Sequence, residues 1–215
     1  MKTKRFYLVR HAQTIWNSEN RLQGHTDQPL SPLGEKQAQC VASFFASRPI
    51  KALYTSHLAR SRQTAEAIAL VRTNGVAPVI DRELAEMHLG DWEGLTPAEI
   101  DAKFLGAYQQ WRTQPSSVII PNAELPAVFR LRVKRVFERL VTTFDEGEYV
   151  VVSHGGVIAA VLADLWGADY DSVLRRLRLD NAGVTALEFG SGHPHVVWVN
   201  TTAHLETLSV AATWF

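Results

Sequence analysis

Short apolar runs of strand-forming residues alternate along the chain with longer segments of helical periodicity. Runs of this length and composition are typical of strands buried inside a sheet. They occur at residues 6–9, 52–55, 79–80 and 148–152, and the last of them is the clearest. Two further strands, around residues 185–187 and 196–199, are predicted at the edges of the sheet.

The segments between these runs have apolar residues three and four positions apart, which is the spacing of an amphipathic helix. The helix predicted over residues 31–48 begins with Ser31 as N-cap and Pro32 at its first position. Further helices are predicted over residues 61–71, 97–108, 128–144 and 155–166. Loops are predicted at residues 81–96 and at residues 113–126, the second as an excursion over the surface with three prolines.

This alternation predicts an α/β fold, a three-layer α/β/α sandwich with a largely parallel central sheet covered on both faces. We expect one domain over residues 1–215, with a small cap inserted around residues 84–126. In sheets of this kind, ligands bind beyond the carboxyl ends of the strands. Polar residues that directly follow a strand are therefore the first candidates for a functional site.

Composition narrows the class of protein. A chain of 215 residues, 46% of them hydrophobic, builds a full core without a metal or disulfide staple. The single cysteine, Cys40, forms no internal bridge, and the chain opens without a secretory leader, so a cytoplasmic location is predicted. The apolar runs are too short to span a membrane, and 22 basic residues against 22 acidic ones argue against a nucleic-acid partner.

Two strand ends carry the same pattern, a histidine directly after an apolar run. They are Arg10-His11 after the first strand and Ser153-His154 after the strand at 148–152. Neighbouring parallel strands would bring both rings over one crevice. A third strand end leads into Arg60 and Arg62, which we expect to add cations there.

Histidine beside arginine suits the chemistry of a phosphate monoester. Arginine forks bind phosphate oxygens in pairs, and imidazole, with an ordinary pKa of about 6.5, is mostly neutral at pH 7 and therefore able to attack phosphorus. Arg10 should disfavour the charged form of His11 and keep it nucleophilic.

Four ordered blocks resemble the histidine phosphatase superfamily, in its phosphoglycerate-mutase-like branch. The blocks are residues 10–17 (RHAQTIWN), 56–65 (SHLARSRQTA), 83–94 (ELAEMHLGDWEG) and 152–156 (VSHGG). The resemblance runs from residue 6 to about residue 205.

The resemblance implies that His11 attacks phosphorus and becomes a phosphohistidine, while Arg10, Arg60 and His154 hold the phosphoryl oxygens. It also implies a pocket lined by Asn17, Gln23, Gly24 and Gly155. No metal and no cofactor is required in this scheme. The remaining histidines follow no spacing typical of metal ligands.

The resemblance implies two ways of supplying the proton for the leaving alcohol. One branch has an aspartate directly after the second histidine, where this chain has Gly155. Glu86 matches the glutamate of the other branch and is the predicted donor. Competing carboxylates nearby are Glu83, Asp91 and Glu93.

The predicted activity is hydrolysis of a small phosphorylated metabolite. Trp92-Glu93-Gly94 is the phosphatase variant of the third block, and Pro97 occupies the position of a lysine that helps the mutases bind substrate. A phosphoglycerate mutase-type phosphotransferase and a non-catalytic regulator that binds phosphorylated ligands are the alternatives. Retention of all five implied catalytic residues disfavours the regulator.

The leaving group stays open. A P-x-G-E-S block common among the phosphatases is replaced here by residues 121–125 (PNAEL), and the substrate could be a sugar phosphate, phosphoserine, a nucleotide or ribazole phosphate. Phe104, Tyr108 and Trp111 either form an apolar wall for a bulky leaving group or only fasten the cap. Exposed edge strands near the C-terminus would permit a homodimer.

Overall fold

A six-stranded sheet with helices on both faces is formed by the residues that the structure, a computed structural model, describes, which are 3–73 and 75–208. The strands are β1 (Lys4–Arg10), β2 (Ile50–Thr55), β3 (Pro78–Ile80), β4 (Gly147–Ser153), β5 (Val184–Phe189) and β6 (His195–Thr201). The α-helices of this part of the chain are α1 (Ile15–Ser18), α2 (Pro32–Phe45), α3 (Ala59–Leu70), α4 (Pro97–Lys103), α5 (Ala107–Thr113), α6 (Pro126–Thr143), α7 (Gly155–Trp166) and α8 (Tyr170–Arg176).

The strands run in the order β3-β2-β4-β1-β5-β6. The first four are mutually parallel, whereas β5 and β6 pair antiparallel. The prediction that both C-terminal strands are edges is wrong for β5, which lies between β1 and β6. Its residues Thr185, Ala186 and Leu187 are buried, because strands cover it on both sides.

Alternate residues of β1 enter two different cores. Phe6 and Leu8 pack in one cluster with side chains of α6 and α7, while Tyr7 and Val9 pack in another with α2 and α3. Successive side chains of a strand point to opposite faces, so these two clusters are the two faces of the sheet. The expected three-layer α/β/α arrangement is confirmed.

Local helix signals account for some boundaries and not for others. Ser31 caps α2 as predicted, its hydroxyl oxygen accepting from the backbone N–H of Gly34 at 3.0 Å, although α2 ends at Phe45 rather than near residue 48. The helix predicted over 97–108 is two helices, α4 and α5. Leu105 and Gly106 separate them with φ angles of 54° and 80°, a left-handed backbone that no α-helix continues through. The short helix α8 was not predicted.

Residues 84–126 build a third, smaller cluster around the buried Trp92. Val118 and Ile120 are buried in it, so the predicted surface excursion over 113–126 is wrong for these two residues, which cover the tryptophan. None of the described helices combines the length and the apolar character that crossing a bilayer demands.

Candidate active site

The sheet brings His11 and His154 together at one edge. β1 and β4 pair in parallel with Arg10 opposite Ser153, so each histidine follows directly at the same level. Their ring centroids lie 5.2 Å apart, as the two strand-end patterns predict.

His11 is held in one tautomer. Its Nδ1 lies 2.8 Å from the carbonyl oxygen of Ala12, and a carbonyl only accepts, so Nδ1 carries the proton. The lone pair of the neutral ring is then on Nε2, which accepts from the Nε–H of Arg60 at 3.2 Å. The ring is 3% exposed.

Burial is the main reason that the pKa of His11 lies well below its ordinary value, and the charges of Arg60 and Arg10 lower it further. The sequence argument assigned this effect to Arg10 alone. Burial and two neighbouring positive charges all disfavour the charged ring. The nitrogen that would attack phosphorus, Nε2, therefore stays unprotonated.

Arg60 is an almost completely buried cation, 1% exposed, held by backbone oxygens. Its Nη2 donates to the carbonyl of Gly24 at 2.8 Å and its Nη1 to that of Thr26 at 3.2 Å. Burial lowers the pKa of Arg60 to about 10, so it keeps its charge at neutral pH. Arg10 donates to the carbonyl oxygen of Leu179. Gly155 lines the cleft as predicted, and a Cβ atom there would lie 3.7 Å from Nε of Arg10.

His154 has no exposed surface and does not itself line the cleft described below. Its Nε2 lies 2.7 Å from the hydroxyl oxygen of Ser56, while its Nδ1 is buried without a hydrogen-bond partner among the described residues. Burial, followed by the charge of Arg60, lowers the pKa of His154 well below its ordinary value. An unpaired buried nitrogen costs about 1–3 kcal/mol, which a ligand oxygen would recover.

Glu86 is fixed through both carboxylate oxygens. Oε1 accepts from the backbone N–H of Met87 at 2.9 Å and Oε2 from that of Gly156 at 3.0 Å. A Cβ atom at Gly156 would lie 2.4 Å from Oε1, so glycine is required for this approach.

The competing carboxylates have other partners and do not line the cleft. Glu83 pairs with arginines of α6, and Asp91 accepts from the side-chain amide of Asn122. Glu93 accepts from four donors of neighbouring loops. Of the four carboxylates considered from the sequence, only Glu86 faces the cleft.

The position of Glu93 also explains why residue 24 is a glycine. The carboxylate binds the backbone N–H groups of His25 and Thr26, each at 2.8 Å, and that of Leu89 at 3.0 Å. Gly24 has a φ of 51°, and a Cβ atom there would lie 2.1 Å from Oε1 of Glu93. Gly24 lines the cleft, as the resemblance implies, and it also admits the carboxylate of Glu93.

Asn17 and Gln23 line the cleft as predicted, and both lie within hydrogen-bond distance of the Thr14 hydroxyl. Asn181, which the sequence argument missed, donates through Nδ2 to the carbonyl of His11 at 3.1 Å and to Oδ1 of Asn17 at 3.2 Å. It therefore braces the loop after β1.

Arg132 of α6 is a second residue that the sequence argument missed. Its guanidinium donates to the carbonyl oxygens of Glu83, Ala85 and Glu86, at 2.7, 2.9 and 3.3 Å, and pairs with Glu124 at 2.7 Å. We call this pair the Arg132–Glu124 clamp. Glu124, which residues 121–125 share with the P-x-G-E-S block, was the only signal in the sequence for this clamp.

A cleft of about 820 Å³ is lined by Arg10, His11, Arg60 and Glu86. Tyr108 and Trp111 line it, and the same two rings pack against Trp92 in the cluster of residues 84–126, so one role does not exclude the other. Phe104 packs against Trp92 without lining the cleft. Arg62, expected among its cations, is absent from its lining.

His25 lies between His57 and His88, with ring centroids 6.1 and 5.0 Å away. Within the described residues, no three histidine, cysteine or acidic side chains are arranged to hold a metal ion.

Known proteins share both the sequence and the fold. The family model described as "Histidine phosphatase superfamily (branch 1)" matches residues 6–202. A glucosyl-3-phosphoglycerate phosphatase of Mycolicibacterium vanbaalenii is 36% identical over 80% of this chain and 78% of its own. Bacillus stearothermophilus YhfR is 28% identical with a TM-score of 0.87, covering 94% of this chain and 99% of its own. A mycobacterial glucosyl-3-phosphoglycerate phosphatase solved with VO3 is 31% identical with a TM-score of 0.81, covering 92% and 99%.

Proposed function

The chain belongs to the histidine phosphatase superfamily, and on that premise we propose that it hydrolyses small phosphomonoesters through a phosphohistidine at His11. The observation that carries this proposal is the fixed tautomer of His11, which leaves an unprotonated Nε2 beside the buried charge of Arg60. The relatives compared above that carry an activity in their names are phosphatases.

In the first step, Nε2 of His11 attacks phosphorus, an N–P bond forms and the ester P–O bond breaks. The Nε–H of Arg60, which now points at His11, turns to a phosphoryl oxygen. Arg10, which lines the cleft, binds another oxygen. We propose that Nδ1 of His154, whose ring centroid lies 5.2 Å from that of His11, becomes accessible to a third oxygen when the substrate enters. The terminal nitrogens of Arg60 are already held by the carbonyl oxygens of Gly24 and Thr26, and donors held in place in this way stabilise charge that develops in the transition state.

The departing alkoxide takes a proton from Glu86, the carboxyl group that faces the cleft. In the second step a water molecule gives a proton back to Glu86 and attacks phosphorus. The N–P bond then breaks, which releases inorganic phosphate and returns His11 to its starting state.

Pro97 favours hydrolysis over phosphoryl transfer to a second metabolite. It lines the cleft at the position of the mutase lysine and offers no cation to hold a second substrate.

We also propose the organisation and setting of the chain. Residues 84–126, which have their own cluster around Trp92, act as a cap on one domain spanning residues 1–215. The single cysteine, Cys40, favours the cytoplasm, and the edge strand β6 is the surface through which a homodimer would form.

The test is hydrolysis of p-nitrophenyl phosphate without added metal. We expect turnover by the native chain and a loss of roughly a thousandfold or more in His11→Ala, because the nucleophile is removed. His193→Ala, which changes an exposed histidine, is the matched control and keeps its activity. Undiminished activity in His11→Ala would exclude the phosphohistidine.

A further inference from the structure

The cleft is strongly cationic although the chain as a whole is neutral. Two carboxylates line it, those of Glu86 and Asp180. The arginines that line it are Arg10, Arg21, Arg60, Arg112, Arg175, Arg176 and Arg178. Arg10 and Arg60 belong to the proposed phosphoryl site around His11, so five guanidinium groups remain for the other part of the substrate.

Two of these five are neutralised by the protein itself. Arg21 pairs with Glu99 at 2.8 Å, and Arg178 pairs with Asp180 at 2.8 Å. Of the three that are left, Arg112 is a single cation on α5, whereas Arg175 and Arg176 are adjacent in the chain. Among the described residues, no carboxylate lies within ion-pair distance of any of the three, and Arg175 and Arg176 are both exposed. Both stand in the last turn of α8.

The helix that carries these two arginines is firmly anchored. Tyr170 at its start is buried, and Asp171 accepts from the backbone N–H and the hydroxyl of Ser116, which belongs to the cap. The Nε of Arg175 donates to the carbonyl of Asp171 at 3.1 Å, which orients the rest of its guanidinium.

The cleft also has an apolar lining. Leu174 and Leu177 line the cleft from the α8 side, and Tyr108 and Trp111 line it from the cap. A cleft of about 820 Å³ is the size of a site for a whole metabolite rather than for phosphate alone.

We infer that Arg175 and Arg176 form a second anion subsite, which binds a carboxylate or a second phosphate on the alcohol part of the substrate. This inference rests on the proposed function and narrows its substrate class to phosphomonoesters with a second anionic group. Exposed guanidinium groups without a protein counter-charge attract such oxygens and bind them through paired hydrogen bonds.

The test uses alkyl phosphates of increasing chain length that end in a carboxylate, in the matching carboxamide or in a second phosphate. The native chain should prefer an anionic end at one or more lengths, by roughly tenfold or more in kcat/KM over the carboxamide, as expected for a charged hydrogen bond. The better of the two anionic ends identifies the group that is bound.

Arg176→Gln and the double variant Arg175→Gln/Arg176→Gln should bring this preference stepwise towards unity. Lys36→Gln removes one exposed charge from α2, away from the cleft, and should keep it. A native chain without preference at any length, or a preference that survives in the double variant, overturns the subsite.

Failure of the proposed function is recognised separately, because the native chain would then not hydrolyse p-nitrophenyl phosphate. In that case, calorimetry of the same alkyl compounds with the native chain and the double variant decides the subsite. Tighter binding of the anionic ends by the native chain alone supports it, and equal binding by both proteins overturns it.

Discussion

A neighbouring polar group binds one ring nitrogen of each buried histidine. The carbonyl of Ala12 holds the proton of His11 on Nδ1, and the hydroxyl of Ser56 binds Nε2 of His154. The nitrogens that remain are Nε2 of His11, which accepts from Arg60, and Nδ1 of His154, which has no hydrogen-bond partner among the described residues. One suits a nucleophile, and the other suits a contact to a phosphoryl oxygen.

Glu86→Gln tests the proton donor. The amide cannot protonate the departing oxygen, so hydrolysis of an alkyl phosphate should slow by roughly a hundredfold, within the usual contribution of general acid catalysis. p-Nitrophenolate leaves without help, so its ester should slow far less. Steady-state kcat for both esters measures the difference.

Asp91→Asn is the matched control, since Asp91 is exposed on the same loop and does not line the cleft. Equal slowing of both esters in Glu86→Gln would assign Glu86 another role.

Four short blocks contain most of the predicted site residues that line the cleft, but the contacts that hold these residues could not be predicted. Asn181 reaches the loop after β1 from the far end of the chain, and Arg132 reaches the loop of Glu86 from α6. Such contacts depend on how distant segments pack, and no local pattern encodes them. The approach of Glu93 to Gly24 was missed for the same reason, because these two residues are remote in sequence.

Among the structural elements, the loop that carries Glu86 depends most on a neighbour. The loop has two short 3₁₀ turns, Arg82–Leu84 and Gly90–Trp92, and Arg132 of the Arg132–Glu124 clamp binds three of its carbonyl oxygens. His25 binds the carbonyl of Glu86 from another side at 2.7 Å. Helix α6 thereby positions a carboxylate that it does not itself carry.

Arg132→Met should misplace Glu86 without removing it. We expect alkyl phosphate hydrolysis to fall by roughly tenfold to a hundredfold, since a displacement of about 1 Å has that effect, while p-nitrophenyl phosphate is much less affected. The ratio of the two kcat values measures this, and a merely destabilised enzyme would lose both activities in proportion.

Arg135→Met provides the comparison for this variant. Arg135 lies on the same helix but pairs with the side chain of Glu83 instead of binding the loop carbonyls. The ratio of kcat values should stay at its native value there, and a changed ratio would show that any loss of charge from α6 has the same effect.

Strands and long helices could be predicted well, because their apolar periodicity is a local property. The break between α4 and α5 was missed since it depends on Leu105, a residue type that seldom adopts a positive φ. The position of β5 was missed because strand order is not written in the strand itself. Its continuous burial from Val184 to Leu187 is nevertheless typical of a strand inside a sheet.

Across the whole molecule, the buried histidines make stability depend on acidity. The pKa values of His11 and His154 are lowered in the folded chain and return to about 6.5 on unfolding. Below that pH the unfolded chain binds the additional protons. The stabilisation is therefore complete above pH 6.5 and is lost as the pH falls towards the folded pKa values.

Urea unfolding between about pH 7 and pH 5 should show this loss, with a slope of up to about 1.4 kcal/mol per pH unit for each histidine. The double variant His11→Gln/His154→Gln should show a shallower slope. His193→Gln, which changes an exposed histidine, should leave it unaltered. Equal slopes in the native chain and the double variant would assign the acid sensitivity to other groups.

The parallel pairing of β1 with β4 also has a consequence for how activity arises. The ladder runs without irregularity from Lys4 opposite Gly147 to Arg10 opposite Ser153, and it joins segments separated by most of the chain. Contacts of such long range form slowly, after much chain entropy has been lost. The two histidines meet only once this ladder is complete, so recovery of turnover during refolding reports a late event that helix formation alone does not reveal.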